Sequence, residues 1–188
     1  AQGQEGAAAG DIPDPAVTPG TQSFLIEGDS QRNGQVPALG TLAWSEGRDA
    51  LGAPTIVGHA EIPGRMAVDI VLGRNADTTL PASHVFSITF VPAPGFSGGS
   101  VALLHSIALK SQPLVPGLPL AGAAARILDN SFLFALSDAP KQVLDNVGLL
   151  TRGQWIDVAL LYANGRQAVL TLERDADADA LFQRVLID

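Results

Sequence analysis

The sequence predicts an all-β domain, an antiparallel β-sandwich of jelly-roll type with two short helices added. Three observations carry that prediction. Apolar residues recur with period two in one run after another, each run bounded by Gly, Pro, Asn or Asp. The dipeptide Asn164-Gly165 separates two strand-like segments, a strong hairpin signal. Hydrophobic residues make up 46% of the 188 and charged residues only 16%, which is enough apolar surface for one core and too little charge for a coiled coil.

Residues 1–21 are rich in Ala, Gly and Pro and read as a flexible tail or linker before a single domain over 22–188. Ser23–Glu27 is a short apolar run ending in Gly28-Asp29. Val36, Ala38, Leu42 and Trp44 share one parity; Met66, Val68, Ile70 and Leu72 form the next set, and His84, Phe86, Ile88 and Phe90 another. Val101, Leu103, His105, Ile107 and Leu109 follow, then Phe132, Phe134 and Leu136. Ala121–Ala125 (AGAAA) reads as a strand packed closely against something bulky.

The hairpin joins Gln154–Ala163 to Arg166–Glu173. A two-residue loop would oppose Leu161 to Ala168, Ala159 to Leu170 and Asp157 to Leu172. Its first strand is apolar on both faces and belongs inside a sheet. Asp157 then falls on the apolar face, where a carboxylate needs a partner, expected to be an arginine. Pro140–Leu150 carries Val143, Leu144 and Val147 at helical spacing, with Ser137 or Asp138 as cap. At the C-terminus, Asp175, Asp177 and Asp179 precede the stripe Leu181, Phe182, Val185, Leu186, so the acids sit at the positive end of a helix.

Composition narrows the function. Eleven basic against nineteen acidic side chains give a net charge of −8, which argues against a nucleic-acid backbone or an anionic membrane as main partner. No cysteine is present, so disulfides, thiolate metal sites and cysteine nucleophiles are out. No apolar run approaches the roughly 18 residues of a membrane span. Only Lys110 and Lys141 are lysines, a bias expected of a high-GC bacterial genome. No cofactor is expected.

The motifs are weak. Gly95-Phe96-Ser97-Gly98-Gly99 matches a nucleophile elbow in letters, but a strand-like run follows it where a helix is required. Gly28-Asp29-Ser30 resembles the first block of SGNH hydrolases, yet no histidine follows His105 to complete that family's pattern. His59, His84 and His105 lie on separate strands, with Asp69 as a possible fourth ligand and no metal-binding spacing. An enzyme built on them would need convergence with Asp69 or Asp157 in one cleft. Asp175, Asp177 and Asp179 imitate an EF-hand loop, but Ala180 and Leu186 stand where it needs Gly and an acid. Trp44, Trp155 and Tyr162 are candidates for a sugar-stacking platform. The polar stretch Arg74, Asn75, Asp77, Ser83 and His84 lies between two apolar strands, at one end of the domain where loops carry function; Asn75 and Asp77 equally suit turn capping. With Trp44, Trp155 and Asp157 these are the candidate binding residues.

The stretch Arg74 to His84 resembles a block, R-N-x-D-x-x-L-P-A-S-H, of uncharacterised alphaproteobacterial (rhizobial-type) proteins. Further matches are Phe96-Ser97-Gly98-Gly99, Pro119-Leu120-Ala121-Gly122, Phe132–Ser137, Leu149–Asp157 and Tyr162–Ala168, so the resemblance covers roughly 36–186. Leu104-His105-Ser106-Ile107 and Glu173-Arg174-Asp175 depart from it. The resemblance implies a membrane-anchored protein with a C-terminal extracytoplasmic domain and carries no catalytic residue. The reading is a non-catalytic periplasmic or cell-envelope domain, anchored through a segment missing from this chain, that binds a protein partner or itself. A lectin-like carbohydrate-binding module is the alternative, and a hydrolase or metal-dependent enzyme using the histidines the third.

Overall fold

The period-two runs become strands of one antiparallel sheet in the computed structural model, which describes residues 22–28, 37–113 and 115–187. The expected tail lies outside the described residues. The strands are β1 (Gln22–Glu27), β2 (Ala38–Arg48), β3 (Pro54–Ile62), β4 (Met66–Arg74), β5 (Ala82–Pro92), β6 (Val101–Lys110), β7 (Leu118–Pro119), β8 (Gly122–Leu128), β9 (Ser131–Ser137), β10 (Trp155–Tyr162) and β11 (Gln167–Glu173). Two helices, α1 (Pro140–Arg152) and α2 (Ala176–Ile187), complete the fold. The strand order is β7-β6-β10-β11-β1-β2-β3-β4-β5-β9-β8. The sequence predicts two packed sheets; the described strands instead form one sheet that curls on itself, and its concave face supplies the core.

Alternation works as expected on most strands. Met66, Val68, Ile70 and Leu72 are buried, as are Phe86, Ile88, Phe90, Phe132, Phe134 and Leu136. Strand β6 differs. His105 and Ala102 are extra residues at two irregularities against β10, so Val101, Leu104, Ile107 and Leu109 face the core while Leu103 and His105 turn outward.

The hairpin also differs by one residue. Tyr162 N–H donates to the Arg166 carbonyl and Gly165 N–H to the Tyr162 carbonyl, which makes a three-residue loop with Gly165 at φ 90°. That is a type I turn closed by a glycine bulge rather than the two-residue turn. Leu161 therefore opposes Gln167, and Asp157 opposes Thr171. A one-residue slip exchanges the faces of a strand. Leu170 and Leu172 thus join Val158 and Ile156 in the core, and Asp157 moves to the outer face.

Helix α2 lays Leu181, Phe182, Val185 and Leu186 onto the core. Each such side chain, fully buried, contributes roughly 1.5–3 kcal/mol. Arg174, its side chain fully buried, joins the two helices. It donates to the Leu150 and Thr151 carbonyls of α1, pairs with Asp179 of α2 at 2.9 Å, and lies 4.3 Å above the Phe182 ring. Helix α1 starts at Pro140 with Ala139 as N-cap; Ser137 accepts the Ala139 N–H, and no side chain caps the helix.

Residues 118–128 lie between the two edges of the sheet. The first two pair with β6, and six of the last seven pair with β9, Ile127 being an extra residue at an irregularity between Arg126 and Leu128. At the crossover Leu120 N–H still bonds to the Ile107 carbonyl of β6, while the Ala121 carbonyl accepts Ser137 N–H of β9. Asn146 of α1, 2% exposed, completes the bend: its amide bonds both Ala121 N–H (2.8 Å) and Ala121 C=O (2.9 Å). Replacing Asn146 by Ala strands these buried backbone groups and is expected to cost about 2–4 kcal/mol in urea unfolding. A loss below the error of the measurement would show that the amide does not hold the bend.

Candidate interaction site

The sequence-predicted polar stretch is a loop bonded to itself. Asn75 Nδ2 donates to the carbonyls of Asp77, Leu80 and Ala82, and Asn75 Oδ1 accepts Asp77 N–H. Asp77 accepts both the N–H and the hydroxyl of Thr79, which hold its carboxyl below the usual range. Ser83 lies 3.1 Å from His84 Nδ1. His84 opposes Arg74 and is 7% exposed; burial, with Arg74 nearby, keeps its pKa low and favours the neutral ring.

The two tryptophans do not form a platform. Trp44 donates to the Glu173 carbonyl at 3.0 Å and packs edge-on against Phe182. Gly58 makes room for it: a Cβ there would lie 2.6 Å from the indole. Trp155 stacks on Phe24 of β1 with ring centroids 5.8 Å apart. Tyr162 is buried edge-on against Phe96. Its hydroxyl lies near the Glu27 carboxylate, itself held 2.6 Å from Arg65, and burial raises the Tyr162 pKa strongly. Asp157 pairs with Lys110 at 2.8 Å, a lysine where an arginine is expected, and accepts the Thr171 hydroxyl at 2.7 Å.

The three histidines do not converge. His84 faces the core, His105 sits exposed in the β6 irregularity, and His59 is on the outer face of β3. Nδ1 of His59 lies 2.6 Å from Asp69 and Nε2 lies 3.2 Å from Glu61. Among the described residues no group of three potential ligands is set to hold a metal ion. Gly95 to Gly99 is a pair of turns leading into β6, with no helix after it. No described helix is long and apolar enough to cross a membrane.

The feature that stands out is β8. All seven of its residues are exposed, on both faces, although it is a strand of the sheet. The sequence predicts a strand there, but packed against something bulky; the alanines are open instead. Strand β9 covers one side of β8, and no described strand pairs with the other. Val101, the first residue of β6, bonds to the Asn130 side chain at the root of β9, and Leu128 nearby stays 69% exposed. An open hollow of about 600 Å³ lies against Arg126, Ile127, Leu128 and Asp129. Behind β8 the outer face is uncharged over two rows read from the strand registers. One row runs Val57, Val71, Ser87, Leu133, Ala125, and the next ends Val85, Ala135, Ala123. Sequence periodicity could not find this edge, because a run of small residues looks the same covered or bare.

No family model, curated protein or solved structure matches the chain.

Two measurements check the electrostatics of the placed residues. Both carboxylates raise the His59 pKa above 6.5, Asp69 first. The ion pair therefore adds stability that is full below pH 6.5 and is lost as pH rises through the folded value. An NMR titration of the imidazole is expected to show a midpoint above 6.5 that falls back in Asp69→Asn; a midpoint unmoved by that substitution contradicts the pairing. Asp157→Ala leaves Lys110 buried without its counter-ion and is expected to cost about 2–3 kcal/mol. An unchanged denaturation midpoint would place the pair in solvent.

Proposed function

We propose that this is a non-catalytic periplasmic or cell-envelope domain whose task is protein–protein interaction, with the β8 edge as its docking element. The single observation that carries the reading is a seven-residue strand exposed on both faces and unpaired along one side. Such an edge offers a row of backbone donors and acceptors that an extended segment can complete. Natural edges are commonly blunted by prolines, inward charges or a covering loop. The run Gly122–Leu128 has no proline, and its one charged side chain, Arg126, is tied to Asp129 at 2.7 Å.

The uncharged outer face behind the edge supports the same reading, since apolar patches mark interaction sites. The envelope location rests on the family resemblance alone, carried by the Arg74–His84 block and the matches that follow it. Selection of displayed extended heptapeptides against the purified domain tests the docking reading. Peptides recovered on the wild type are expected to lose binding to Ala124→Pro, which removes a backbone donor and stiffens the edge. Equal recovery on both proteins would contradict it.

A further inference from the structure

Independently of the β8 edge, we infer that the slot between β6, β7 and the last turn of α1 binds the C-terminal residue of a polypeptide that ends in a leucine-sized apolar side chain. The first argument is size. The slot measures about 220 Å³; Leu109, Leu118 and Leu149 line it, and Ser111 and Arg152 stand exposed beside them. An apolar cavity of about 150 Å³ accepts a benzene, and sites for drug-sized ligands start at roughly 300 Å³. This slot therefore takes one side chain and no more. Leu118 lines it and is still 63% exposed, so its outer surface extends the apolar contact to the residues that precede the C-terminus.

The second argument is charge. Although the chain has a net charge of −8, none of the residues lining this slot is an acid. Its two cations differ. Lys110 is engaged within the fold, donating to the Pro113 carbonyl at 2.8 Å and pairing with Asp157 at 2.8 Å. Arg152 has no carboxylate partner among the described residues, whereas most described basic side chains have one. Its guanidinium lies back against Gly148 of its own helix, where a Cβ would come within 3.0 Å. That glycine weakens the helix relative to alanine and makes room for the arginine. A planar guanidinium offers a fork of N–H donors that matches a carboxylate. A helix C-terminus repels anions through its free carbonyls. Here the Leu149 carbonyl accepts Gly153 N–H, and those of Leu150 and Thr151 accept the Arg174 guanidinium. A carboxylate joined to one apolar side chain is the chemistry of a chain's last residue, and Ser111 adds an exposed hydroxyl for the adjoining peptide group.

Titration of the full chain with acetyl-Gly-Gly-Leu, followed by amide NMR shifts, tests the site. The acid is expected to move the Ser111, Leu118 and Gly153 signals saturably. The same peptide with a C-terminal amide is expected to bind at least about tenfold more weakly, the loss of a hydrogen bond to a charged group. Arg152→Gln, a substitution at an exposed position whose folding circular dichroism confirms, is expected to lower affinity for the acid by the same factor and to leave that for the amide unchanged. Equal binding of acid and amide, or acid binding unmoved by R152Q, would overturn recognition of a carboxylate by Arg152. 4-Methylpentanoate carries the same side chain and carboxylate without the peptide, and binding as tight as that of acetyl-Gly-Gly-Leu would overturn a polypeptide as the source. No saturable shift at the three residues would overturn the site itself. The slot contains no residue of β8, so its failure and the failure of heptapeptide binding at that edge are read separately.

Discussion

One stretch of backbone, residues 118–128, is shared between two sheet edges that it cannot pair with along its whole length. Its first residues bond to β6 and its last to β9. A β-strand has two sides, and pairing on one leaves the other bare unless a neighbour covers it. The crossover at Ala121 is the costly point, because the peptide there leaves one ladder before it is fully in the next. Asn146 supplies the missing partner, presenting an amide as a second backbone would. Helix α1 thus decides where the chain changes edges, and the exposure of β8 follows from that choice.

The rest of the structure is organised so that this edge can be open without loosening the core. The concave face is filled by side chains from both halves of the sheet, and α2 lies against it with four buried apolar residues. Arg174 ties α1 to α2 through backbone carbonyls, the Asp179 carboxylate and the Phe182 ring. A buried guanidinium needs its hydrogen bonds met, and each of these partners comes from a helix. Lys110 and Asp157 do the same on the outer face, next to the Trp155–Phe24 stack. The strongly held polar groups are therefore spread through the frame, whereas β8 carries only the exposed Arg126–Asp129 pair.

Most of the strands, both helices and the buried parity of β4, β5 and β9 were legible in the sequence, because alternation reports which face is covered. What alternation cannot report is a residue that breaks it. The extra residues Ala102 and His105 in β6 moved Leu103 outward, and one extra loop residue at Ala163 moved Asp157 off the apolar face. Each is a backbone irregularity with no side-chain signature of its own. The arrangement of the strands into walls is not legible for a related reason: period two states that a strand has an inside, not whether the opposite wall is another sheet or the same one curled. The candidate site was the least legible. The polar block Arg74–His84 drew attention by composition, yet Asn75 and Asp77 direct their hydrogen bonds into their own loop. The open edge lay in the plainest residues of the chain.

The central claim is that β8 is bonded on one side only. Residue-resolved amide hydrogen exchange at low protein concentration tests it directly. The account expects alternate amides between Gly122 and Leu128 to exchange at nearly the rate of unstructured peptide, with the intervening ones slowed by β9. Every amide of β10, paired on both sides, should be protected. Uniform protection along β8, equal to that of β10, would mean that its far side is covered in the single chain and would contradict the account.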